Sequence, residues 1–281
     1  MEKTYWENAW DEAKLASPTR TRPGNEACWG GFWDGLAEQY LREILAGEPF
    51  YRGIRDYLVE REVLRPGDRV LDVGCGPGTY ALPFAEKASS VDALDPSGPM
   101  LAALAGEAAR RGLANLKTMQ ARWEDFATPD RYDLVFSSMS PAVSDTPTLL
   151  KMEALSCRSC CLITYGDAPE APERKALWPQ LVGDYRPSNM YMYTYPYNVL
   201  RERGREPGLR MFDQEERHLV PVEQMVKRFT DYFAIFTTLD AGKIGRIREY
   251  FEARAPGGLY EEKGHTRLAV ISWDRPEEPP R

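Results

Sequence analysis

The chain has 281 residues, 43% of them hydrophobic, and a formal net charge of −7. That length allows one large α/β domain with elaborations, or a domain plus a small cap, and enough apolar material for a sizeable core. The acidic balance disfavours nonspecific binding to a polyanion such as nucleic acid, leaving room only for a local basic patch.

The chain opens on "MEKTYWENAWDE", which is acidic and aromatic. It lacks the basic start and apolar run of a secretory signal. Residues 1–64 read as a helical extension or lid. "GFWDGLAEQYLREIL" places Phe32, Leu36, Tyr40 and Ile44 at four-residue steps, one stripe along a helix. "PFYRGIRDYLVE" repeats the device with Phe50, Ile54 and Leu58. Before them, residues 17–31 carry Pro18, Pro23, Gly24 and Gly30 and read as a loop.

From residue 65 the pattern changes. "RPGD" (65–68) is a turn, and "RVLDV" (69–73) is a short apolar strand followed by a glycine turn and a helix near 79–88. "SVDALD" (90–95) is a second strand. Ser97 can cap a helix running to Arg111, with Gly112 just beyond its end. "NLKTMQA" (115–121) and "YDLVFSS" (132–138) are further strands. Thr146 can cap a helix with Pro147 at its first position. "CCLITYG" (160–166) is a fifth strand. Alternating strands and helices imply an α/β fold, a parallel sheet with helices on both faces.

After Gly166 the rhythm breaks. Residues 167–215 are rich in proline and aromatics and read as an inserted cap. "RHLVP" (217–221) and "TRLAVISW" (266–273) can supply two more strands, with helices near 222–233 and 243–254 between them. The final stretch "DRPEEPPR" (274–281) reads as a disordered tail.

The first strand runs into Asp72-Val73-Gly74-Cys75-Gly76-Pro77-Gly78. A dinucleotide fingerprint spaces its glycines as G-x-G-x-x-G so that a helix end meets a pyrophosphate. Here the sixth position is Thr79, and Asp72 would repel a diphosphate. A ligand with a cationic ammonium and sulfonium suits that carboxylate better, and bare main chain can donate N–H groups to the ligand's own carboxylate. The plainer alternative is a tight turn with no ligand. Asp95 ends the second strand, where an acidic residue accepts hydrogen bonds from two ribose hydroxyls. Its plainer role is to cap the next helix.

"VLDVGCGPGTYALPFAEKASSVDALDPSGPML" resembles the class I S-adenosylmethionine-dependent methyltransferases in the first two motifs of that family. The resemblance extends over about residues 64–166. It implies a Rossmann-like sheet of seven strands, mostly parallel, with an antiparallel last hairpin; residues 65–273 would form that domain. It further implies S-adenosylmethionine as methyl donor and S-adenosylhomocysteine as product. Asp72, Gly74, Cys75 and Gly76 would lie along the methionine part of that cofactor. Asp95 and Pro96 would border the ribose, and Met100 would face the adenine.

The family's third motif usually carries an Asp that accepts from the adenine amino group. Here "ARWEDF" puts Arg122 in that position. The main-chain N–H of Trp123 could still reach the base, its indole could stack on it, and Glu124 or Asp125 could replace the acceptor. The alternative for Trp123 is an aromatic covering the sheet edge.

Ligands of open α/β sheets bind outside the carboxyl ends of the strands, so Ser137, Ser138 and the following residues to Pro141 should border the sulfonium. "SMSPA" is not the Asn/Asp-Pro-Pro-aromatic signature that goes with an amino group on a base or glutamine. Ser138 and Ser140 could orient an acceptor or satisfy strand-end backbone groups. Methyl transfer by in-line displacement needs a general base only when the acceptor must lose a proton, so no catalytic residue is assigned. His218 and His265 read as surface or packing residues. Tyr5, Trp6, Trp10, Trp29 and Trp33, with Tyr191, Tyr193, Tyr195 and Tyr197, could form an aromatic pocket over an acceptor or pack the appended helices.

The five cysteines, Cys28, Cys75, Cys157, Cys160 and Cys161, are odd in number and too few for a disulfide scaffold, which suggests reduced thiols in a cytoplasm. "CRSCC" has no second Cys pair for zinc, and Cys160 and Cys161 should fall on opposite faces of a strand. The basic run 201–210 reads as a solvated helix end and loop. These readings converge on a methyltransferase with a small-molecule acceptor, no metal and no membrane contact. A protein or RNA acceptor, and a cofactor-binding relative without turnover, stay open; an NAD-dependent oxidoreductase is at odds with the glycine spacing.

Overall fold

The computed structural model describes residues 2–17, 25–168, 172–184 and 190–276. Its strands are β1 (Arg69–Val73), β2 (Ser90–Asp95), β3 (Leu116–Gln120), β4 (Tyr132–Ser138), β5 (Ser156–Tyr165), β6 (Gly208–Pro221) and β7 (Leu259–Asp274). They form one sheet in the order β3-β2-β1-β4-β5-β7-β6. The first five run parallel; β7 is antiparallel to β5 and β6 antiparallel to β7.

Ten helices are described: α1 (Tyr5–Ala16), α2 (Asn25–Ala46), α3 (Glu48–Glu60), α4 (Ala81–Ala85), α5 (Gly98–Arg111), α6 (Thr146–Leu155), α7 (Pro172–Leu181), α8 (Thr194–Glu202), α9 (Val222–Ala234) and α10 (Ala241–Glu252). Among the described residues, no helix is long and apolar enough to cross a membrane.

The two-residue period of the strands divides the core. Val70, Leu134, Phe136, Cys161 and Ile163 point to one face, where Ile54 and Leu58 of α3, α4, and Leu101 and Leu104 of α5 cover them. Leu71, Val73, Val135, Cys160 and Leu162 point to the other, against Trp10 of α1, Leu149 and Met152 of α6, and Val199 and Leu200 of α8. The adjacent cysteines Cys160 and Cys161 thus lie on opposite faces. Removing a side chain such as Phe136, fully buried, from water contributes about 1.5–3 kcal/mol. A third cluster joins α7, α9 and α10 through Trp178, Phe229, Phe233 and Phe251.

Several boundaries differ from the sequence expectation. The loop expected at 17–31 gives way to α2 from Asn25 onward; Pro18, Pro23 and Gly24 lie outside the described residues. Gly30 is helical because Trp29 and Phe32 beside it pack edge-on against Tyr232, and tertiary packing overrides the weak helix propensity of glycine. Helix α4 is five residues long, not the ten expected over 79–88.

The cap of α6 is Asp145 rather than Thr146. Its carboxylate accepts from the Thr148 N–H at 2.9 Å, while the Thr148 hydroxyl accepts from the Asp145 N–H at 3.2 Å. Strands β6 and β7 are longer than 217–221 and 266–273, because they pair with each other along their length, from Gly208↔Ser272 to Pro221↔Leu259. The last residues of the segment expected as a cap, from Gly208, therefore belong to the sheet, as do the last three of the basic run 201–210. Of the tail expected to be disordered, Asp274 ends β7, and residues 277–281 lie outside the described residues.

Candidate cofactor site

Strand β1 is buried from Val70 to Val73 and ends on a turn in which Gly74, Gly76 and Gly78 have φ of 70°, 53° and 101°. Positive φ at three alternate positions is a backbone that glycine adopts without Cβ strain. The Gly74 and Cys75 N–H groups both donate to the Leu94 carbonyl, at 2.8 and 3.1 Å, which ties the turn to β2.

The three glycines meet different neighbours. A Cβ on Gly74 would lie 1.9 Å from Ser140 Oγ, and one on Gly78 would lie 2.4 Å from Leu104 Cδ1 of α5. One on Gly76 would find only Tyr40, at 3.7 Å. The protein's own packing thus demands glycine at 74 and 78, whereas Gly76 faces space that a ligand can enter.

Asp95 closes the turn from the neighbouring strand. One carboxylate oxygen accepts from the Gly76 N–H and the other from the Ser97 N–H, each at 2.9 Å. Burial pushes its pKa up, opposed by those two N–H bonds. A carboxylate offers about four acceptor positions, so Asp95 retains capacity for ligand hydroxyls. Asp72 is 2% exposed. Burial, with the Asp95 charge adding to it, raises its pKa to about 8 against one N–H bond from Ala81. Among the described residues, neither carboxylate is paired with a basic side chain. Two buried acids without a cation make an electrically incomplete site, which a cationic ligand group would complete.

Helix α2 lies against the crevice. Asp34 accepts a 2.5 Å hydrogen bond from the Ser97 hydroxyl, which itself accepts from the Met100 N–H at 3.2 Å and so caps α5. Tyr40, six positions on, stands over Gly76 and hydrogen-bonds the Thr79 side chain. Sequence reasoning placed Tyr40 in a packing stripe and did not single out Asp34, because an acidic residue on an exposed helix face carries no signal of what lies opposite.

The adenine side is less ready. Met100 is buried. The Trp123 indole is 2% exposed and donates to the Thr148 carbonyl at 3.1 Å. Phe126 lies near-parallel to it at 6.2 Å and Lys151 sits 4.7 Å over its ring. Of the two readings of Trp123, its burial and its bond to α6 favour the aromatic that covers the sheet edge over the one that stacks on a base. Arg122 Nε lies 3.8 Å from Glu124 Oε2, on a half-exposed turn.

At the end of β4, the Ser137 hydroxyl is fully buried and donates to the Val73 carbonyl at 2.8 Å. That hydroxyl ties the ends of the two central strands together. Ser138 is half-buried, with the enclosed Tyr80 hydroxyl beside it. Met139 has φ 49°, a left-handed conformation unusual for a side chain of that size. This strained residue, followed by Ser140 against Gly74, marks the strand end that faces the crevice.

Most of the aromatic candidates pack helices. Trp10 donates to the Met190 carbonyl at 2.8 Å and lies parallel to Tyr195; Trp6 meets Tyr195 edge-on. Trp29 contacts Phe236 and Tyr232. Tyr165, at the end of β5, exchanges main-chain hydrogen bonds with Tyr191 and Tyr193.

Residues 70–154 match the family described as "Methyltransferase domain". A nocamycin O-methyltransferase of Saccharothrix syringae is 38% identical over 101 residues, 34% of this chain and 36% of that protein. A ribosomal RNA small subunit methyltransferase G of Sodalis glossinidius is 35% identical over 99 residues, 34% of this chain and 48% of that protein. The chain thus spans less than half the length of these curated relatives. The solved structure of the YcgJ protein of Bacillus subtilis superposes with a TM-score of 0.53 at 17% identity, covering 82% of this chain and 99% of that one; at that identity the likeness concerns the fold. Strand order, glycine turn and matched segment together identify the chain as carrying a class I, S-adenosylmethionine-dependent methyltransferase domain with a Rossmann-like fold.

Proposed function

We propose that the protein transfers a methyl group from S-adenosylmethionine to a small-molecule acceptor. The observation that carries this reading is the buried pair Asp72 and Asp95, placed around an open Gly76 with no basic side chain to balance them. Asp72 would face the ligand's ammonium, and Asp95 would accept from the ribose hydroxyls. The main chain after β3, at Trp123, would approach the base. The donor supplies a methyl group already activated by the sulfonium. The protein's own residues orient it, hold an acceptor in line and exclude water, which together lower the barrier without a dedicated base.

Enclosure favours a small acceptor. Helix α2 covers the turn, and the crevice mouth carries uncharged hydroxyls at Tyr40, Thr79 and Ser138. Helices α1–α3 and α7–α8 act as its cover in this reading. The relative named for nocamycin supports the same class, while the one named for ribosomal RNA keeps a polymer acceptor as the rival. A second reading, cofactor binding without turnover, draws on Ser140 filling the space above Gly74. Calorimetry of the full chain with S-adenosylhomocysteine tests the cofactor; no heat at millimolar ligand in a folded sample overturns the proposal. Release of S-adenosylhomocysteine from S-adenosylmethionine across panels of small molecules and of RNA then decides between the readings.

A further inference from the structure

We propose that α2 is the gate of the cofactor crevice, that Asp34 is its latch through the Ser97 hydroxyl, and that Gly30, Gly31 and Gly35 let it open; this rests on the cofactor reading above. Asp34 meets Ser97, which the Asp95 carboxylate also holds. Tyr40 stands over Gly76 and bonds Thr79. These two anchor points are six residues apart, about 9 Å along a helix. They sit at the two ends of the crevice, the strand end suited to a sugar and the turn suited to an amino-acid tail. A ligand reaching both lies beneath α2 and cannot leave while both anchors hold.

The helix is built to yield. A Cβ at Gly30, Gly31 or Gly35 would meet nothing within 4 Å. Close packing therefore does not explain these glycines, and each weakens the helix relative to alanine. They flank the latch, and two of them sit beside Trp29 and Phe32, which fasten α2 to Tyr232. Between that aromatic anchor and Tyr40, the Asp34–Ser97 contact is a charge-assisted hydrogen bond from a buried serine to an exposed carboxylate, a part-buried contact that can open and reclose without unfolding the core.

Stopped-flow binding of S-adenosylhomocysteine to the full chain tests this, read by intrinsic tryptophan fluorescence; Trp33 lies on α2, 6.4 Å from Tyr40. Asp34→Ala should raise the association and dissociation rates together, about tenfold, with Kd changed less than threefold. Asp34→Asn, which keeps an acceptor, should fall between. The triple variant Gly30→Ala/Gly31→Ala/Gly35→Ala should slow both rates. A rise in dissociation alone would make Asp34 a ligand contact and overturn the gate, as would unchanged rates in Asp34→Ala or in the triple variant. Failure of the wild-type protein to bind would instead remove the cofactor reading itself.

Discussion

Gly76 donates its main-chain N–H to Asp95 Oδ2 at 2.9 Å. The turn after β1 and the carboxyl end of β2 are therefore one unit, and a residue assigned to the sugar also shapes the loop assigned to the amino-acid tail. Asp95→Ala should weaken S-adenosylhomocysteine binding by about 2–4 kcal/mol, from lost charge-assisted bonds and a loosened turn. Asp95→Asn, which can still accept from Gly76, should lose less. Calorimetry compares the two; equal losses would show that the turn does not depend on this bond.

Asp72 predicts a pH dependence. With its pKa raised to about 8, the folded apo protein keeps a proton there that the unfolded chain has lost above the ordinary carboxylate range. Between about pH 4 and 8 the folded state binds more protons, so this group's contribution to stability falls as pH rises. Asp72→Asn should stabilise the apo protein at pH 8 by at least about 1 kcal/mol and do little at pH 4. Denaturant unfolding at the two pH values checks this.

The same group should make cofactor affinity rise with pH. Below pH 8 the carboxyl must give up its proton to meet an ammonium, a cost of about tenfold per pH unit. The ligand's own α-amino group, beside a free carboxylate, keeps its charge to higher pH than a chain terminus does, so affinity should rise up to about pH 8 and then level off. Calorimetry of S-adenosylhomocysteine from pH 6 to 9 reads the profile. A flat profile in wild type would remove Asp72 from the ammonium site.

Gly74 and Ser140 form a close pair, and their substitutions should couple. Gly74→Ala forces a Cβ against Ser140 at positive φ and should cost about 2–4 kcal/mol. Ser140→Gly should recover the steric part of that loss but not the strain. A double-mutant cycle by thermal unfolding measures the coupling, and strict additivity would mean the loop simply moves aside.

Trp123→Phe separates packing from base stacking. Losing the bond to the Thr148 carbonyl should lower stability by about 1 kcal/mol, with S-adenosylhomocysteine affinity unchanged within about twofold. A tenfold loss of affinity without loss of stability would return the indole to the adenine site.

The central strands and the glycine turn were legible because the information is local. β1, β2 and β4 have the boundaries that their apolar runs predict, and Ser97 and Gly112 bracket α5 as a cap and a left-handed terminus. What failed depended on partners far along the chain. Gly30 is helical because Trp29 and Phe32 find Tyr232, and β6 is long because β7 lies beside it. Trp123 turns inward because α6 offers a carbonyl.

A single chain of residues thus specified which backbone must bend, which carboxylates sit beside that bend and in what strand order they follow. Only the tertiary structure decided that Asp72 and Asp95 share one buried, uncompensated crevice, that Ser137 faces the core, and that Asp34 reaches across to Ser97. The reason is physical: turns, caps and alternation depend on neighbours a few residues away, whereas burial, charge balance and cover depend on segments brought together only when the sheet closes.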